Sequence, residues 1–410
     1  MMYTTSALVI VGLIIVSSVG VSALDDYSES INIGPYVDKV VYKVIGNQDQ
    51  RILALQAGEI EMDNSFFDPV HLPTLTADPD IDIYSTLRNG YGHITINCRD
   101  YPLNISGLRR AFAFAFDKTK ITSEVMDGFS IEHDSLVPQT SSWCIENEFE
   151  WHYYTNQSDI GNQILDDLGF QINETTGFRH APNGDPFDIV IEAPGPSVTS
   201  QSVAQIGVDA LHSLHIDASK IYSPWGEPNR LSEHGNYDMI FYAVNFYDND
   251  VDWLAYEYWS EYADVYDENP TNFQNDTYDS WREQLLHSTT YEEVYEAAAE
   301  MQKILQYNVP RLVVYENTYM QGYRNDQFTG HVEDLGRYIS GPWTMRKIQK
   351  LDGTFGGTVP IAISEEPDSF NIYVTNSAYS AAILSELWPS LYHYGPDMNP
   401  IPDIAENIFT

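Results

Sequence analysis

The hydrophobic pattern along the chain alternates between strand-like and helix-like segments. Residues 36–45 alternate apolar and polar positions and are rich in β-branched side chains, which predicts a strand. Residues 50–58 have helical spacing and end at a glycine, and residues 60–63 are extended again. Further helices are predicted at 160–170, 202–214 and 292–306, and further strands at 81–85, 187–193, 216–222, 237–243 and 309–316. Such strand–helix–strand runs build the parallel sheets of α/β lobes.

Residues 108–121 satisfy two patterns at once. Three phenylalanines alternate with alanines, as in a strand with one aromatic face. However, Phe112 and Phe116 also lie four apart on one helical face, and the alanines favour a helix intrinsically. Ser106 stands upstream as an N-cap candidate, and Lys118 and Lys120 suit the C-terminal end of a helix dipole. We therefore predict a helix that is apolar on nearly all sides and buried in a large domain.

The charge of the chain excludes one large class of partners. Its 410 residues contain 60 acids and 20 bases, and the formal net charge is −40. This charge repels nucleic acid and anionic lipid, so we expect no nucleic-acid partner. The acids are scattered, which favours a solvated acidic surface over an acidic docking site. Strong acidity also suits an exported protein or a salty environment.

The N-terminus carries a targeting pattern. Residues 6–23 form an uninterrupted apolar run that ends in Val21, Ser22 and Ala23, a small-residue cleavage pattern. We predict a signal peptide, with an uncleaved membrane anchor as the alternative, and export of the remainder. No second membrane span is apparent in the sequence. Four Asn-x-Ser/Thr motifs are available for glycosylation, at Asn104, Asn156, Asn173 and Asn275.

Cysteine and histidine spacing predicts no metal site. Cys98 and Cys144 are the only cysteines, and either a disulfide or two free thiols are compatible with an oxidising compartment. His212 and His215 are three apart on a predicted helix, but no third ligand is placed by the sequence. We expect these histidines to be surface residues of the helix, and we expect neither a resident metal nor a cofactor.

The segment around residues 91–121 resembles a family signature. A strand, an extended Tyr-Pro-Leu turn and the helical segment are similar to the "N…P…d…RqAlayAiDrekI" pattern of extracellular solute-binding proteins, family 5. These are the oligopeptide, dipeptide and nickel receptors of ABC importers. The matching positions are Asn97, Pro102, Arg110, Ala111, Ala115, Asp117 and Ile121. A second match, to "aLqsGeiDm", is at Leu55, Gln56, Gly58, Glu59, Met62 and Asp63.

The C-terminal tail resembles the opening of the same family. Residues 357–410 are similar to "GGtlriaisedPdsLnp", a helix, and then "PdlAe". The matching positions are Gly356, Gly357, Ile361, Ile363, Pro367, Asp368, Leu391, Pro402, Asp403 and Ala405. The opening of a receptor therefore follows its C-terminal portion, and the central part is missing. A fragment of a tandem receptor and a circular permutation both explain this order. We predict that residues 359–363 pair into the lobe that contains residues 36–45.

The resemblance implies an α/β fold of the periplasmic-binding-protein-like type II, with two lobes, mixed sheets and a hinge, lacking the central part of a full receptor. It implies the following division of the chain. Residues 1–24 are a signal peptide or anchor, 25–135 part of lobe I, 136–325 the second ligand-binding lobe, 326–350 the return to lobe I, and 351–410 the N-terminal segment of a second receptor copy, predicted to pair into lobe I.

The candidate ligand site follows a predicted buried strand. Open α/β sheets place their ligand crevice where strands end, and residues 245–253 follow such an end. In the family, a "gW…D..DpD" segment here carries the aspartate that pairs with the peptide's α-ammonium, which implies Asp248, with Asp250 as the alternative. A turn of solvated acids or a calcium-like site is the competing interpretation. The further ligand-contact candidates are Asn245, Phe246, Tyr247, Trp253, Tyr91 and Trp225.

The function implied is solute capture for an ABC importer. The partners would be a peptide or other small-molecule solute, a membrane permease and a separate ATPase, and the receptor would be a monomer. Peptides are the first ligand class, with oligosaccharides or nickel as others. The sequence has no nucleophile elbow, zinc-binding HExxH or phosphate loop, so we expect no catalytic residues and no enzyme. The alternatives are a degenerate surface protein that no longer binds, and a secreted glycoside hydrolase.

Overall fold

The fold is built on one mixed sheet. The computed structural model describes residues 33–195, 197–224, 235–265, 268–375 and 377–405. Ten described strands form the main sheet, and two short two-stranded sheets lie beside it. The strands are β1 Lys39–Val44, β2 Met62–Asp63, β3 Ile81–Leu87, β4 Gly90–Ile96, β5 Ser130–Ile131, β6 Asp188–Pro194, β7 Asp217–Ser223, β8 Met239–Asn245, β9 Arg311–Arg324, β10 Phe328–Thr329, β11 Gln349–Lys350, β12 Thr358–Ile363, β13 Tyr392–Tyr394 and β14 Pro400–Pro402.

Helices cover the faces of this sheet. The α-helices are α1 Gln48–Gln56, α2 Leu72–Thr76, α3 Ser106–Ala115, α4 Lys118–Lys120, α5 Ser158–Asp167, α6 Val198–Ser213, α7 Leu254–Glu257, α8 Asp276–His287, α9 Tyr291–Asn308, α10 Pro342–Lys347 and α11 Ala378–Leu384. Short 3₁₀ turns occur at Pro69–His71, Glu146–Glu148 and Ser260–Tyr262, and a π-helical turn at Ile121–Val125. Within the described residues, no helix is long and apolar enough to span a membrane.

The long strand β9 connects two groups of strands. The path through the sheet is β1-β12-β2-β9-β4-β8-β6-β7, with β3 and β5 also paired to β9. Residues 311–315 of β9 pair with β4, Glu316 and Asn317 pair with β5, and residues 318–324 pair with β3. One group (β1, β2, β3, β12) therefore uses the C-terminal half of β9. The other group (β4, β6, β7, β8) is joined to its N-terminal half.

Each group of strands has its own apolar core. One large buried cluster lies between β4, β6, β8 and the helices α3, α5 and α6, and a second involves α8 and α9. In the other strand group, two smaller clusters lie around α1 and β3 and around β12 and α10. Two strand groups with separate cores, connected by shared strands, are the arrangement that the type II fold requires.

The predicted buried helix at 108–121 is confirmed in part. Residues 108–115 belong to α3, and all of them except Arg110 are buried. Gly161 allows α5 to approach closely, because a Cβ at that position would lie 2.7 Å from the Ala111 carbonyl oxygen. The predicted caps were wrong. Ile105 rather than Ser106 is the N-cap, and α3 ends at the extended Phe116 before the lysines, which lie in the separate turn α4.

The predicted pairing of the C-terminal tail is present. β12 lies between β1 and β2 and is parallel to both, with Lys39 opposite Thr358 and Val44 opposite Ile363. Among the described strands, β1 is hydrogen-bonded to the sheet only through β12. Val359, Ile361 and Ile363 are almost fully buried, and so is Ala362, which points to the opposite face of the strand. The tail is therefore an interior part of this sheet.

The remaining structural predictions concern cysteines and histidines. Cys98 and Cys144 are free thiols, and both are half-buried. Near the C-terminal end of α6, the Nε2 atom of His212 is hydrogen-bonded to the carbonyl of Ala218 at 3.1 Å. The predicted signal segment at residues 6–23 lies outside the described residues.

Removal of buried side-chain volume from the tail strand tests its role in the sheet. We expect Ile361→Ala to lower the free energy of unfolding by about 2 to 5 kcal/mol, because it leaves a cavity in a closed core. Ile372→Ala is the matched control, since Ile372 is in the same tail but 47% exposed, and we expect a change below about 0.5 kcal/mol. Urea unfolding followed by tryptophan fluorescence measures both. Equal midpoints for the two variants would contradict the interior position of β12.

Candidate functional site

The Asp248 loop (residues 245–253) lies where the chain crosses between the two strand groups. It begins at the last residue of β8, Asn245, which is opposite Gly90 at the start of β4. Only Arg88 and Asn89 separate β3 from β4, so this junction passes directly beside the loop. Gly90 is required there. Its φ is +153°, and a Cβ would lie 2.1 Å from the Val244 carbonyl oxygen.

Arg88 and Asn89 hold the loop in position. Arg88 donates through Nε to the side-chain oxygen of Asn245 at 2.6 Å, and its backbone N–H donates to the carbonyl of Asn317 at 3.0 Å. The Asn89 amide donates to the carbonyls of Phe246, at 2.9 Å, and Asp248, at 3.2 Å. Both residues are almost fully buried. Because buried polar groups need hydrogen-bond partners, these bonds hold the loop against the junction between β3 and β4.

The acids of the loop form consecutive turns. The Asp248 carboxylate accepts a hydrogen bond from the Asp250 N–H at 3.1 Å, and the Asp250 carboxylate accepts from the N–H groups of Val251 and Asp252. Asp248 is half-buried, whereas Asp250 is exposed. Burial raises the pKa of Asp248 above its usual value, and the Asp250 N–H partly offsets that rise. These are the Asx turns of the competing interpretation, and they leave carboxylate oxygens able to accept further bonds.

The aromatic candidates Phe246 and Trp253 belong to the loop, and Tyr91 of β4 lies beside them. The ring of Phe246 lies 4.9 Å from that of Trp253 and 5.9 Å from that of Tyr91. Tyr91 is fully buried in a core cluster, so in this conformation it supports the loop from inside. Tyr247 is half-buried, and the guanidinium of Arg337 lies 3.8 Å from the centre of its ring. Trp225 lies outside the described residues.

Sequence reasoning missed several residues that meet the loop. The sequence does contain a signal for Arg88 and Asn89, because an Asn-Gly pair between two strand patterns marks a sharp junction. Arg337 and Met398 had no such signal, because they lie far along the chain and only the fold brings them to the loop. Asp248, Asp250, Asn245, Phe246, Tyr247 and Trp253 do lie together, as their spacing in the sequence requires.

Two cavities in the described part of the chain lie away from the loop. One of about 460 Å³ is lined by Trp151, Tyr307 and Lys303 among others, and one of about 390 Å³ by Arg99 and Arg109 among others. Neither is lined by a residue of the Asp248 loop. Side chains from the C-terminal part of the chain lie beside the loop instead: Arg337 contacts the Tyr247 ring, and Met398 contacts Asn89.

A buried ionic network supports the segment that follows β5, the short strand paired with β9. Lys118 is fully buried and donates to the Asp134 carboxylate and to the carbonyl of His133. The second Asp134 oxygen is 3.0 Å from His152 Nδ1 and also accepts from the Tyr153 N–H. Glu146 accepts hydrogen bonds from the N–H groups of Asp134 and Ser135 and from the Tyr154 hydroxyl.

The electrostatics of this network favour the charged forms of Asp134 and His152 and disfavour that of Glu316. Burial alone would raise the pKa of Asp134, but the charge of Lys118 and the hydrogen bond from His152 outweigh it, so this pKa lies below its usual value. The hydrogen bond to Asp134 raises the pKa of His152. Burial raises the pKa of Glu316, which lies on β9 with an oxygen 3.8 Å from His133 Nε2.

Asp134, Glu146 and His152 are the one group of the described residues whose ligand atoms lie close enough together for a metal, within 4.8 Å of one another. Their oxygens are already taken. Each of these carboxylates accepts at least three hydrogen bonds, and the ammonium of Lys118 sits on Asp134 where a cation would bind. Because a metal would have to displace a buried lysine, the arrangement is that of a structural ion network.

Comparison with known proteins agrees with this architecture. Two strand groups with separate cores, joined by crossing strands with a polar loop at the junction, define the class of two-lobed binding proteins of the type II fold. The model of bacterial extracellular solute-binding proteins, family 5 (middle), matches residues 17–265, more than half of the chain. The chain belongs to this family.

The relatives are distant and longer. The oligopeptide-binding protein AppA of Bacillus subtilis (strain 168) is 23% identical over 220 residues, which are 53% of this chain and 39% of AppA. The oligopeptide-binding protein OppA of Lactococcus lactis subsp. cremoris (strain SK11) is 22% identical over 141 residues, 34% of this chain and 23% of OppA. The chain thus spans well under half of the curated relatives it matches.

Solved structures share the fold. AppA of B. subtilis in complex with a nonapeptide superimposes with a TM-score of 0.66 at 15% identity, covering 75% of this chain and 60% of AppA. NikZ of Campylobacter jejuni in complex with Ni(L-His) gives 0.64 at 16% identity, covering 75% and 60%. A periplasmic oligopeptide-binding protein of Thermotoga maritima bound to mannohexaose gives 0.62 at 20% identity, covering 75% and 61%.

Removal of the lysine tests the network. We expect Lys118→Met to lower the free energy of unfolding by about 3 to 5 kcal/mol, because it leaves the buried Asp134 carboxylate without its cation. Lys303→Met is the matched control: its ion pair with Glu300 is largely exposed, and we expect at most about 0.5 kcal/mol. Urea unfolding at neutral pH measures both. A Lys118→Met protein as stable as wild type would contradict the network's structural role.

The pKa shifts predict an optimum of stability with pH. Asp134 has a lowered folded pKa, so its stabilisation is present above the unfolded value of about 3.9 and is lost as pH falls through the folded pKa. His152 has a raised folded pKa, so its stabilisation is present below about 6.5 and is lost as pH rises through the folded pKa. We expect His152→Gln to flatten the alkaline limb of urea midpoint against pH, and an unchanged limb would exclude His152 from it.

Proposed function

We propose that this chain is the solute-binding component of an ABC importer and that its first ligand class is peptides. It would deliver ligand to a membrane permease that works with a separate ATPase, and it would act as a monomer at the outer face of the cell membrane. Export through the apolar segment at residues 6–23 is part of the proposal. Family membership and the fold support the proposal.

The observation that carries the proposal is the position of Asp248. Its half-buried carboxylate lies on a loop fixed to the strand crossing, where two lobes would close on a ligand. An ammonium group held there would be largely removed from water, and its pairing with Asp248 would set both affinity and orientation. Phe246, Tyr247 and Trp253 would supply apolar surface beside it.

The family resemblance implies lobe I from residues 25–135 and 326–350 with the tail at 351–410, and the second lobe from residues 136–325. We would place β4 and α3 with the second lobe instead, because β4 pairs with β8 and α3 packs in the same core. The strand pairing of β12 with β1 supports inclusion of the tail in lobe I. Ligand entry would involve separation of the lobes about the strands that connect them, since Asp248 is half-buried between them.

Titration calorimetry on the exported portion of the chain, with pools of short peptides, tests the proposal. Oligosaccharides and a nickel–histidine complex are the parallel arms, because structural relatives are described with mannohexaose and with Ni(L-His). Heat from a peptide pool supports peptide capture. Binding only of glycan or nickel would replace the ligand class, turnover of a glycan would support the hydrolase alternative, and no heat in any arm would support the degenerate one.

Substitution of Asp248 tests the site. We expect Asp248→Asn to weaken the binding of a peptide with a free α-ammonium by about 2 to 5 kcal/mol, at least about 30-fold in Kd, without a change in the urea midpoint. Binding should also weaken as pH falls through the raised pKa of Asp248, because only the ionised carboxylate pairs with the ammonium.

Two further variants make that result specific. Asp250→Asn tests the alternative acid, which is exposed and already bonded to two backbone N–H groups. Asp209→Asn is the control, an exposed acid on α6. If Asp248→Asn binds peptide as tightly as Asp209→Asn does, Asp248 is not in the ligand site.

A further inference from the structure

The four Asn-x-Ser/Thr motifs of the chain all lie in the described part of the structure, and their surroundings differ. A glycan on such a motif is attached to the side-chain amide nitrogen of the asparagine, and the transferring enzyme also recognises the hydroxyl two residues later. A motif that a transferase can reach in the folded chain must therefore offer a free amide nitrogen and an accessible hydroxyl.

The motif at Asn173 does not offer a free amide. Its Nδ2 is hydrogen-bonded to His180 Nε2 at 3.2 Å. Its Oδ1 accepts from the N–H groups of Thr175 and Thr176 at 2.8 and 3.3 Å. Because both ends of the carboxamide are used, a sugar on this nitrogen would cost the turn one of its bonds.

The motifs at Asn104 and Asn156 do not offer an accessible hydroxyl. Both asparagines are exposed. However, their hydroxyl residues are Ser106 and Ser158, which are half-buried and begin the helices α3 and α5. These two motifs therefore have only one of the two features.

The motif at Asn275 has both features. Asn275 is the N-cap of α8, and its Oδ1 accepts from the N–H of Tyr278 at 2.9 Å. This bond turns the carboxamide oxygen toward the helix, and the amide nitrogen makes no hydrogen bond within the described residues and stays accessible. Thr277, which carries the hydroxyl of the motif, is exposed.

A cavity lies directly beside this motif. The cavity of about 460 Å³ is lined by Asn275 and Thr277 and also by Phe149, Trp151 and Tyr307. Small-molecule sites have volumes of about 300 to 1,000 Å³, so a sugar ring fits into this one. The asparagine nitrogen and three aromatic rings therefore share one recess of the surface.

The rings provide a surface that suits a sugar. The Trp151 and Tyr307 rings pack edge to face with centres 6.2 Å apart, and the guanidinium of Arg110 lies 4.1 Å from the centre of the Tyr307 ring. Tyr307 is 44% exposed. The C–H face of a sugar gains dispersion and apolar contact on such rings, and its hydroxyls can bond to Lys303 and Asn308, which also line the cavity.

We propose that Asn275 is an N-glycosylation site and that the first sugars of its glycan pack against Trp151 and Tyr307. The inference rests on the export that the proposed function includes. It goes beyond that function, because no residue of the Asp248 loop lines the cavity and the glycan would leave the candidate ligand site uncovered.

The transfer requires an activated sugar donor, a lipid-linked sugar phosphate, outside the cytoplasm. The Nδ2 of Asn275 attacks C1 of the first sugar, and the N–C1 bond forms. The bond between C1 and the phosphate oxygen breaks, the phosphate leaves with the electron pair, and Nδ2 loses one proton to a base of the transferase. The Oδ1 of Asn275 is not consumed, so the cap on Tyr278 persists in the product.

Mass spectrometry of the full chain, purified from the cells that produce it, tests the inference. We expect the peptide that contains Asn275 to carry a glycan. Thr277→Ala should abolish it, because the hydroxyl is lost while the Asn275 cap is kept, and Thr277→Ser should retain it. Thr175→Ala is the matched control at the Asn173 motif, and it should leave the mass of attached glycan unchanged.

A second measurement tests the packing of the sugar on the rings. With ¹⁵N-labelled tryptophan, the indole N–H signal of Trp151 should differ between the Thr277→Ala and Thr277→Ser proteins, because only the second carries sugar beside the ring. Trp151→Phe assigns the signal. Trp388, which is 55% exposed in the tail, is the control whose signal should stay unchanged. The same Trp151 signal in both proteins, with glycan present in one, would overturn the packing.

The outcomes for the modification are distinct. An exported protein whose Asn275 is unmodified overturns the inference and leaves the receptor function standing. Glycan that persists on Asn275 in Thr277→Ala also overturns it, since the hydroxyl would then not direct the transfer. Recovery of the protein only from the cytoplasm contradicts the export in the proposed function, and the modification fails with it.

Discussion

The parallel pairing of β12 between β1 and β2 is the interaction on which the rest of this structure depends. It brings the C-terminal tail into the interior of the sheet and attaches β1, which among the described strands has no other neighbour. It also determines where the tail continues. From β12 the chain runs through α11 to the hairpin β13–β14, whose Met398 contacts Asn89 beside the Asp248 loop, so one strand pairing contributes both to the core and to the candidate site.

The second constraint is the number of polar groups buried where the strands cross. Arg88, Asn89, Lys118 and Glu316 are nearly inaccessible to water, and each costs free energy unless its bonds are made. Their partners are backbone carbonyls, backbone N–H groups and opposite charges from several segments. The same demand for partners therefore rigidifies the crossing and holds the Asp248 loop, so stability and the proposed ligand binding use adjacent residues.

Helix prediction at residues 108–121 illustrates how far local pattern extends. Four-residue spacing and alanine content correctly favoured a buried helix, because both are local properties of the chain. The position at which the helix ends did not follow from the local pattern. Asp117 caps the next turn by accepting from the N–H of Lys120, and Phe116 becomes extended while staying fully buried. A continuous pattern in the sequence thus hides a break that tertiary packing and one capping side chain produce.

The sequence alone determined the fold class, the family and the loop that carries Asp248, because these rest on periodicity and on motifs of neighbouring residues. It also predicted the pairing of residues 359–363, since a strand that resembles a family's opening needs the sheet that the opening joins. Only the tertiary structure decided what surrounds Asp248. Asn89, Arg337 and Met398 reach the loop from three distant segments. Contacts of that kind arise from chain topology and close packing, which no local pattern encodes.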